Sequence, residues 1–397
     1  MKISAPLRRT TVAVAALALG TTLAVAPTGP SGAASSSSAV VLGVQTYNMD
    51  FGADLAPLFA VEGLADLVPA TSAVWAQMQA SRIPERAMAL ARRIAAEQPD
   101  LVGLQEVSIW RSAPAAPNGA PTGPFVTDYD QLTSLLDSLA ALGTAYHVAI
   151  ANQNFSNETF PLPAMTAGGI RLVAFTDRDV ILVRSASLSR GRITLGAVAG
   201  HTYSVQLPVS VAGIPIAVQR GWATADVTVR GRTIRFADTH LEAYGYPPYK
   251  DQIRNPQAEE LAAALEDSPY PVVAVGDVNA RPTRCAEYRP GTPQYFEDHN
   301  VVAYTTLTEA GLREVWPLLH PTDPCGSAGW TSGQSALDNA ASTLTHRIDD
   351  VFVSTGFTAL DAYVVGDLES DRIPSGLWPS DHASTWAQIR LDHSHSG

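Results

Sequence analysis

The run ADVTVRGRTIRFADT, residues 225–239, alternates apolar and polar side chains on both sides of Arg230-Gly231. Period-two alternation folded at such a dipeptide predicts a β-hairpin, and so antiparallel pairing. A helical pattern, NPQAEELAAALE (255–266), comes next among the elements and leads into the apolar run PVVAVGD (271–277). The helix separates two strands, so a crossover stands beside a hairpin. That mixture recurs along the chain. VVLGVQTYNM (40–49) reads as a strand, IPERAMALARRIAAEQPD (83–100) as an amphipathic helix with Pro84 in its first turn, and LVGLQEV (101–107) as a strand. DYDQLTSLLDSLAALG (128–143) is a helix stopped by Gly143, and YHVAIA, RDVILVR, HRIDDVFVS and STWAQIRL supply further strands. No repeat is visible. The pattern predicts an α/β protein with mixed sheets in one domain. Two stretches look like insertions: residues 53–80, apolar enough for a helical lid or for packing onto the body, and the Pro/Gly/Ala-rich 111–124, read as a surface loop.

The first residues stand apart. Lys2, Arg8 and Arg9 precede TVAVAALALGTTLAVA, and small residues follow in SGAASSSS. A charged segment, a short apolar segment and a small-residue zone read as a secretory signal peptide, here residues 1–34. An uncleaved anchor is the rival reading, disfavoured because the run is short for a span and holds a glycine and threonines. A flexible leader (35–40), a catalytic domain (41–392) and a frayed tail (393–397) complete the expected organisation. In a secreted, extracellular protein, Cys285 and Cys325 most simply form one disulfide. No CxxC or HExxH spacing supports zinc.

Composition narrows the partners. Net charge is −12, and Lys250 is the only lysine beyond the leader. Such a chain has no global attraction to phosphate backbones or anionic lipid, which leaves local sites and metals open. No stable nucleic-acid partner, at most transient contact with a membrane surface, and a monomer are expected.

Polar residues recur where strands end. Val272–Val275 climb as a buried strand that Gly276 is expected to break, and Asp277 and Asn279 follow two apart. Asn48 ends the first strand, Glu106 ends LVGLQE, His240 ends IRFADTH, Asp349 lies in HRIDDVF, and Asp381-His382 precede the last strand. Any one of these exits is unremarkable; Asp and Asn start turns everywhere. Six together suggest a shared cleft. Asn48, LQE, TH, GDVN, RID and SDH in this order resemble the endonuclease/exonuclease/phosphatase superfamily, over about Val41 to Leu391, nearest its bacterial sphingomyelinase C branch. The resemblance implies a four-layer α/β/β/α sandwich with two mixed, largely antiparallel sheets, cleaving phosphate esters with a divalent metal, usually Mg²⁺ (Mn²⁺ or Ca²⁺ being alternatives).

The resemblance also distributes roles. Glu106 is a metal ligand with Asn48 beside it, and Asp381 either assists the metal or caps its turn. His382 is the general base, a neutral imidazole near its natural pKa accepting a proton from water. Asp349 holds the other ring nitrogen, while Asp350 points to the opposite sheet face. His240 donates to a phosphate oxygen or the leaving group. Asp277 and Asn279, aimed alike by their spacing, orient water and bind oxygen. Arg220 in QRGW is either a phosphate contact or an ion pair within the sheet.

For the substrate, the acidic balance, THLEAYG with QAEEL, and GWTSGQ before RIDDVF favour a phosphodiester of a phospholipid or lipid-derived headgroup, such as sphingomyelin or a choline or ethanolamine glycerophosphodiester. Tyr244, Tyr246 and Tyr249 either cup an ammonium group or pack a Pro-rich loop. An extracellular endonuclease is the alternative, followed by a phosphomonoesterase and a non-catalytic binding module.

Overall fold

The computed structural model describes residues 39–243, 251–282, 301–322 and 326–392. The signal segment, Cys285 and Cys325, Tyr244, Tyr246 and Tyr249, and the tail histidines His393 and His395 lie outside the described residues.

Two large sheets carry the fold. The first runs, edge to edge, β16 (Phe357–Val365), β17 (Ser384–Leu391), β1 (Val40–Asn48), β2 (Leu101–Gln105), β7 (Gly169–Arg184), β3 (Ile109–Pro114) and β4 (Val126–Asp130). The long β7 also pairs β5 (Tyr146–Ser156) and β6 (Leu162–Thr166). The second sheet runs β14 (Arg313–Glu314), β15 (Asp349–Val353), β13 (Val272–Asp277), β12 (Arg232–His240), β11 (Gly221–Val229) and β8 (Ile193–Thr202). A separate hairpin joins β9 (Leu207–Val211) to β10 (Ile214–Val218).

The eight helices in the described residues are α1 (Ala56–Phe59), α2 (Leu64–Ala80), α3 (Ile83–Glu97), α4 (Gln131–Ala141), α5 (Ser185–Ser189), α6 (Asp251–Glu266), α7 (Val302–Glu309) and α8 (Val315–Leu319). None is long and apolar enough to cross a membrane.

Burial sorts these elements into four layers. Val44, Leu101, Ile181, Ala225, Phe236, Val275, Val351 and Ile389 interdigitate between the two sheets. Leu90 and Ile94 of α3 and Leu135 and Leu139 of α4 cover Tyr47, Val102, Leu104 and Leu182 on the outer face of the first sheet. Leu261 and Leu265 of α6, with Tyr304 and Leu307 of α7, cover Ala237, Ala274 and Phe352 on the second. Central strands therefore bury both faces, which is why β13 reads as an unbroken apolar run rather than an alternation.

The expected hairpin forms β11 and β12, and its turn places Arg230 at φ 52° and Gly231 at φ 77°, the two positive dihedrals of a tight primed turn. Three local expectations are corrected. Gly276 does not break its strand: it lies within β13 at φ 150°, where a Cβ would stand 2.0 Å from the Thr239 carbonyl oxygen. Only glycine permits that approach. The 111–124 stretch is not all loop, since β3 continues to Pro114 before the chain turns into β4. The helix predicted from Asp128 starts at Gln131, because Asp130 ends β4 and caps it, its carboxylate accepting from the Leu132 N–H at 3.0 Å. The 53–80 insertion forms α1 and α2, which pack onto the body: Val61 and Leu67 meet Val211 and Ile216.

Candidate active site

Strand direction explains why distant residues meet. β1 and β2 are parallel, so Asn48 and Glu106 leave the first sheet at the same end. β17 is antiparallel to β1, so the turn that carries Asp381 and His382 enters at that end. In the second sheet β12 and β13 are parallel and β15 is antiparallel to β13, which sets His240, Asp277 and Asp349 in one row across three neighbouring strands. The two sheets face each other, and the ends converge.

The distances follow a chain through the site. His382 Nδ1 lies 2.8 Å from Asp349 Oδ2 and 3.9 Å from Asp277 Oδ2. His240 Nε2 lies 3.6 Å from that same Asp277 oxygen and 4.0 Å from Glu106 Oε1. Asn48 links the sheets, its amide donating to Asp277 Oδ2 at 3.1 Å and its oxygen accepting from the Asp50 N–H at 3.0 Å. Asp350 points away into a buried set with Arg347 and Glu314.

Asn279 reaches the site by a different route from the one its spacing suggests. β13 ends at Asp277, and Asn279 adopts φ 50°, outside strand geometry. Its backbone N–H donates to Asp277 Oδ1 at 2.9 Å and its amide to the Leu241 carbonyl at 2.9 Å. The two residues are neighbours through a turn, not through pleating. Glu106 likewise sits just past β2 at φ 58°, a dihedral costly for a side chain of this kind. It is held by the Phe51 N–H, which donates to Glu106 Oε2 at 3.0 Å.

Three groups came with weak or absent sequence signals. Arg220 is buried; it lies 3.6 Å from Asp177 and 3.5 Å from Glu242, and its Nη1 is 3.1 Å from His240 Nδ1. A guanidinium has no acceptor, so it donates to Nδ1 and the His240 proton must reside on Nε2, facing Asp277 and Glu106. Burial, then the charges of Arg220 and His382, push the His240 pKa well down, so this ring is a neutral donor. Thr331, buried within GWTSGQ, takes the backbone N–H groups of Ile348 and Asp349 on its hydroxyl at 3.2 Å each, while its carbonyl accepts from Ala383 at 2.7 Å. It ties Asp349 and His382 to one loop. Asp50, the third, follows Asn48 and lines the cleft.

The electrostatics show a shortage of positive charge. Burial, then Asp381 and Asp50, drive the Glu106 carboxyl well above its ordinary pKa, and Arg220 offsets this only in part. Burial pushes Asp50 up to about 6 and, with Asp349, pushes Asp277 up to about 7. His382 goes the other way from a buried base: burial disfavours its proton, but Asp349, Asp381 and Asp277 outweigh that and hold it well above 6.5. The ring therefore departs from the natural pKa expected for it. Asp349 Oδ1 is buried without a hydrogen-bond partner among the described residues. Crowded oxygen donors with unmet negative charge fit a hard divalent cation. Among the described residues, the ligand atoms of Asp277, Asp349 and His382 also lie within 4.8 Å of one another.

Fold and site together define a phosphoesterase of the α/β/β/α type. The model of the Endonuclease/Exonuclease/phosphatase family matches residues 46–382, and the chain belongs to that family. It is accordingly a metal-dependent phosphoric ester hydrolase. Among solved structures it is similar to an endonuclease/exonuclease/phosphatase from Beutenbergia cavernae (19% identity, 90% of this chain and 73% of that one, TM-score 0.50). It is also similar to one from Bacteroides vulgatus (13%, 89% and 100%, TM-score 0.49) and to humanized D. rerio TDP2 (16%, 88% and 98%, TM-score 0.49). At these identities the likeness concerns the fold alone. No curated protein matches the chain.

Proposed function

We propose that this protein acts outside the cell as an Mg²⁺-dependent phosphodiesterase on a phospholipid or lipid-derived headgroup. The observation that carries the hydrolytic part is the Asp349–His382 pair at 2.8 Å, with Asp277 3.9 Å from the same ring nitrogen; Asp381, adjacent in sequence to His382, lines the cleft with Glu106. His382 has Nδ1 committed to Asp349, so Nε2 is the nitrogen that takes the proton of an attacking water. Asp277 orients that water, and Asn48 and the Asn279 backbone hold Asp277 in place. The His240 Nε2–H donates to a phosphate oxygen or to the leaving group. The Asn279 amide, one hydrogen of which is spent on Leu241, offers the other to phosphate.

Glu106, with Asn48 and Asp381, would hold the cation. When bound it supplies positive charge for the phosphate oxygens and relieves the repulsion among the carboxylates. The chain's own groups do the positioning and the proton movement.

Extracellular action rests on the charged and apolar segments of residues 1–34, and the lipid preference on a net charge of −12 with scarce lysine. Nucleic-acid binding draws most of its affinity from cationic neutralisation of several phosphates, which this composition does not favour. The test is a parallel assay of protein lacking residues 1–34, with Mg²⁺, on sphingomyelin, glycerophosphoethanolamine, plasmid DNA and a phosphomonoester. Turnover of the first two is expected. Cleavage of DNA alone would overturn the reading.

A further inference from the structure

The cleft that holds Glu106, Asp381 and Arg220 does not end at them. The whole cleft has a volume of about 780 Å³, and it runs on from these residues between the α1–α2 insertion, β6 and the β9–β10 hairpin. This is the size of a small-molecule site. Phe51 marks the transition. Its N–H binds Glu106, its carbonyl accepts from Trp110 Nε1 at 2.9 Å, and its ring meets Phe175 edge-on at 5.1 Å. Beyond it the walls are Leu58, Phe160, Leu162, Val211, Ile216 and Val218.

Three polar groups of this extension are engaged within the protein. Asn157 Oδ1 accepts from the Phe175 N–H at 2.6 Å, Thr71 donates to the Leu67 carbonyl at 2.9 Å, and Gln77 Oε1 accepts from the Asp54 N–H at 3.1 Å. Those three atoms are committed and do not read a ligand by hydrogen bonds. The only basic side chain lining the cleft among the described residues is Arg220, which Asp177, Glu242 and His240 engage. Among the described residues, no further basic side chain lines this cleft to meet a second phosphate.

The walls are also braced. The Ala212 N–H donates to the Val61 carbonyl at 2.9 Å, joining the insertion to the hairpin, and the Met165 N–H donates to Ser72 at 2.8 Å, joining α2 to β6. Phe59 and Phe160, each about two-fifths exposed, also line the cleft.

We infer that this extension binds a linear alkyl chain of the substrate while the phosphate lies at the carboxylate end. The enzyme thus seats one alkyl chain of an amphiphilic phosphodiester, taken out of solution or from a lipid surface. This rests on the phosphodiesterase reading above and names the part of the substrate that reading leaves open. Polar and apolar ends of one continuous cleft match the two ends of such a molecule, and the 53–80 insertion supplies one wall of the apolar end.

The test is calorimetric binding of monoalkyl phosphates, butyl to decyl, below micelle formation and with Mg²⁺, to the protein lacking residues 1–34. Affinity should rise by up to about fourfold per added methylene until the space is filled. Val218→Trp, which fills it, and Leu58→Asp, which charges its wall, should each flatten that rise, with folding followed by thermal melting. Chain-length-independent binding by the unmodified protein, or a rise that both folded variants keep, would overturn the inference. Hydrolysis of methyl p-nitrophenyl phosphate, measured in parallel, separates the two failures: turnover with flat binding sinks the alkyl site alone, and absence of any turnover sinks the phosphodiesterase reading.

Discussion

Arg220 Nη1 lies 3.1 Å from His240 Nδ1, and that contact decides which nitrogen of the ring carries the proton. Arg220→Lys keeps a charge beside Asp177 and Glu242 but loses the fixed planar donor. It should fold and lose about 10²-fold in kcat, the scale of one misaligned electrostatic contact. Arg220→Met should in addition lose about 3–5 kcal/mol of stability, since it strands two buried carboxylates. Steady-state kinetics and denaturant unfolding check both. Unchanged kcat in the lysine variant would refute the orienting role.

Asp349→Asn should lower kcat by at least about 10²-fold through loss of the imidazole's orientation, and His382→Ala by about 10²–10⁴-fold. Because Asp349 is the largest charge holding the His382 proton, the asparagine variant should also titrate this ring at lower pH than the unmodified protein. Imidazole NMR on metal-free protein reads that shift. Its absence would separate His382 from Asp349.

Chelation should abolish activity, and Mg²⁺ should restore it. Glu106→Gln should cost activity at least about 10²-fold, yet raise the melting temperature of the metal-free protein, because it removes a carboxylate crowded by Asp381 and Asp50. Saturating Mg²⁺ should stabilise the unmodified protein, by about 2.7 kcal/mol at a hundredfold excess over Kd, and the variant by less. Thermal melting with and without Mg²⁺ measures all three. A variant that melts lower without metal contradicts the crowding.

Gly276→Ala places a Cβ 2.0 Å from a backbone oxygen at φ 150°. A loss of about 3 kcal/mol or more is expected, on the scale of other strained and overpacked sites, together with lost activity as Asp277 shifts. Chemical unfolding and kcat test it. A neutral substitution would show that the β12–β13 contact relaxes freely.

Much of this molecule was legible in one dimension. Alternation around Arg230-Gly231 and the apolar run at Val272–Val275 are local consequences of which faces a strand buries, so a hairpin and a doubly covered strand could be read directly. The types of residue at the strand exits were equally visible, and family resemblance arranged them. The spacing argument for Asn279 misled, because a turn rather than a pleat brings it beside Asp277. Arg220 stayed ambiguous because a sequence shows a cation but not its neighbours.

Residue order determined the strands, the caps and the chemical identities gathered at their ends, since propensity and periodicity act over a few neighbours. Only the folded chain decided which of those groups touch, where the His240 proton sits, how far carboxylates raise one another, and that an insertion supplies one wall of an apolar chamber beside them. Those properties depend on distance and dielectric between segments up to some three hundred positions apart, as between Ser380 and Asn48. Coulomb forces and packing act through space, and space is what a linear string leaves out.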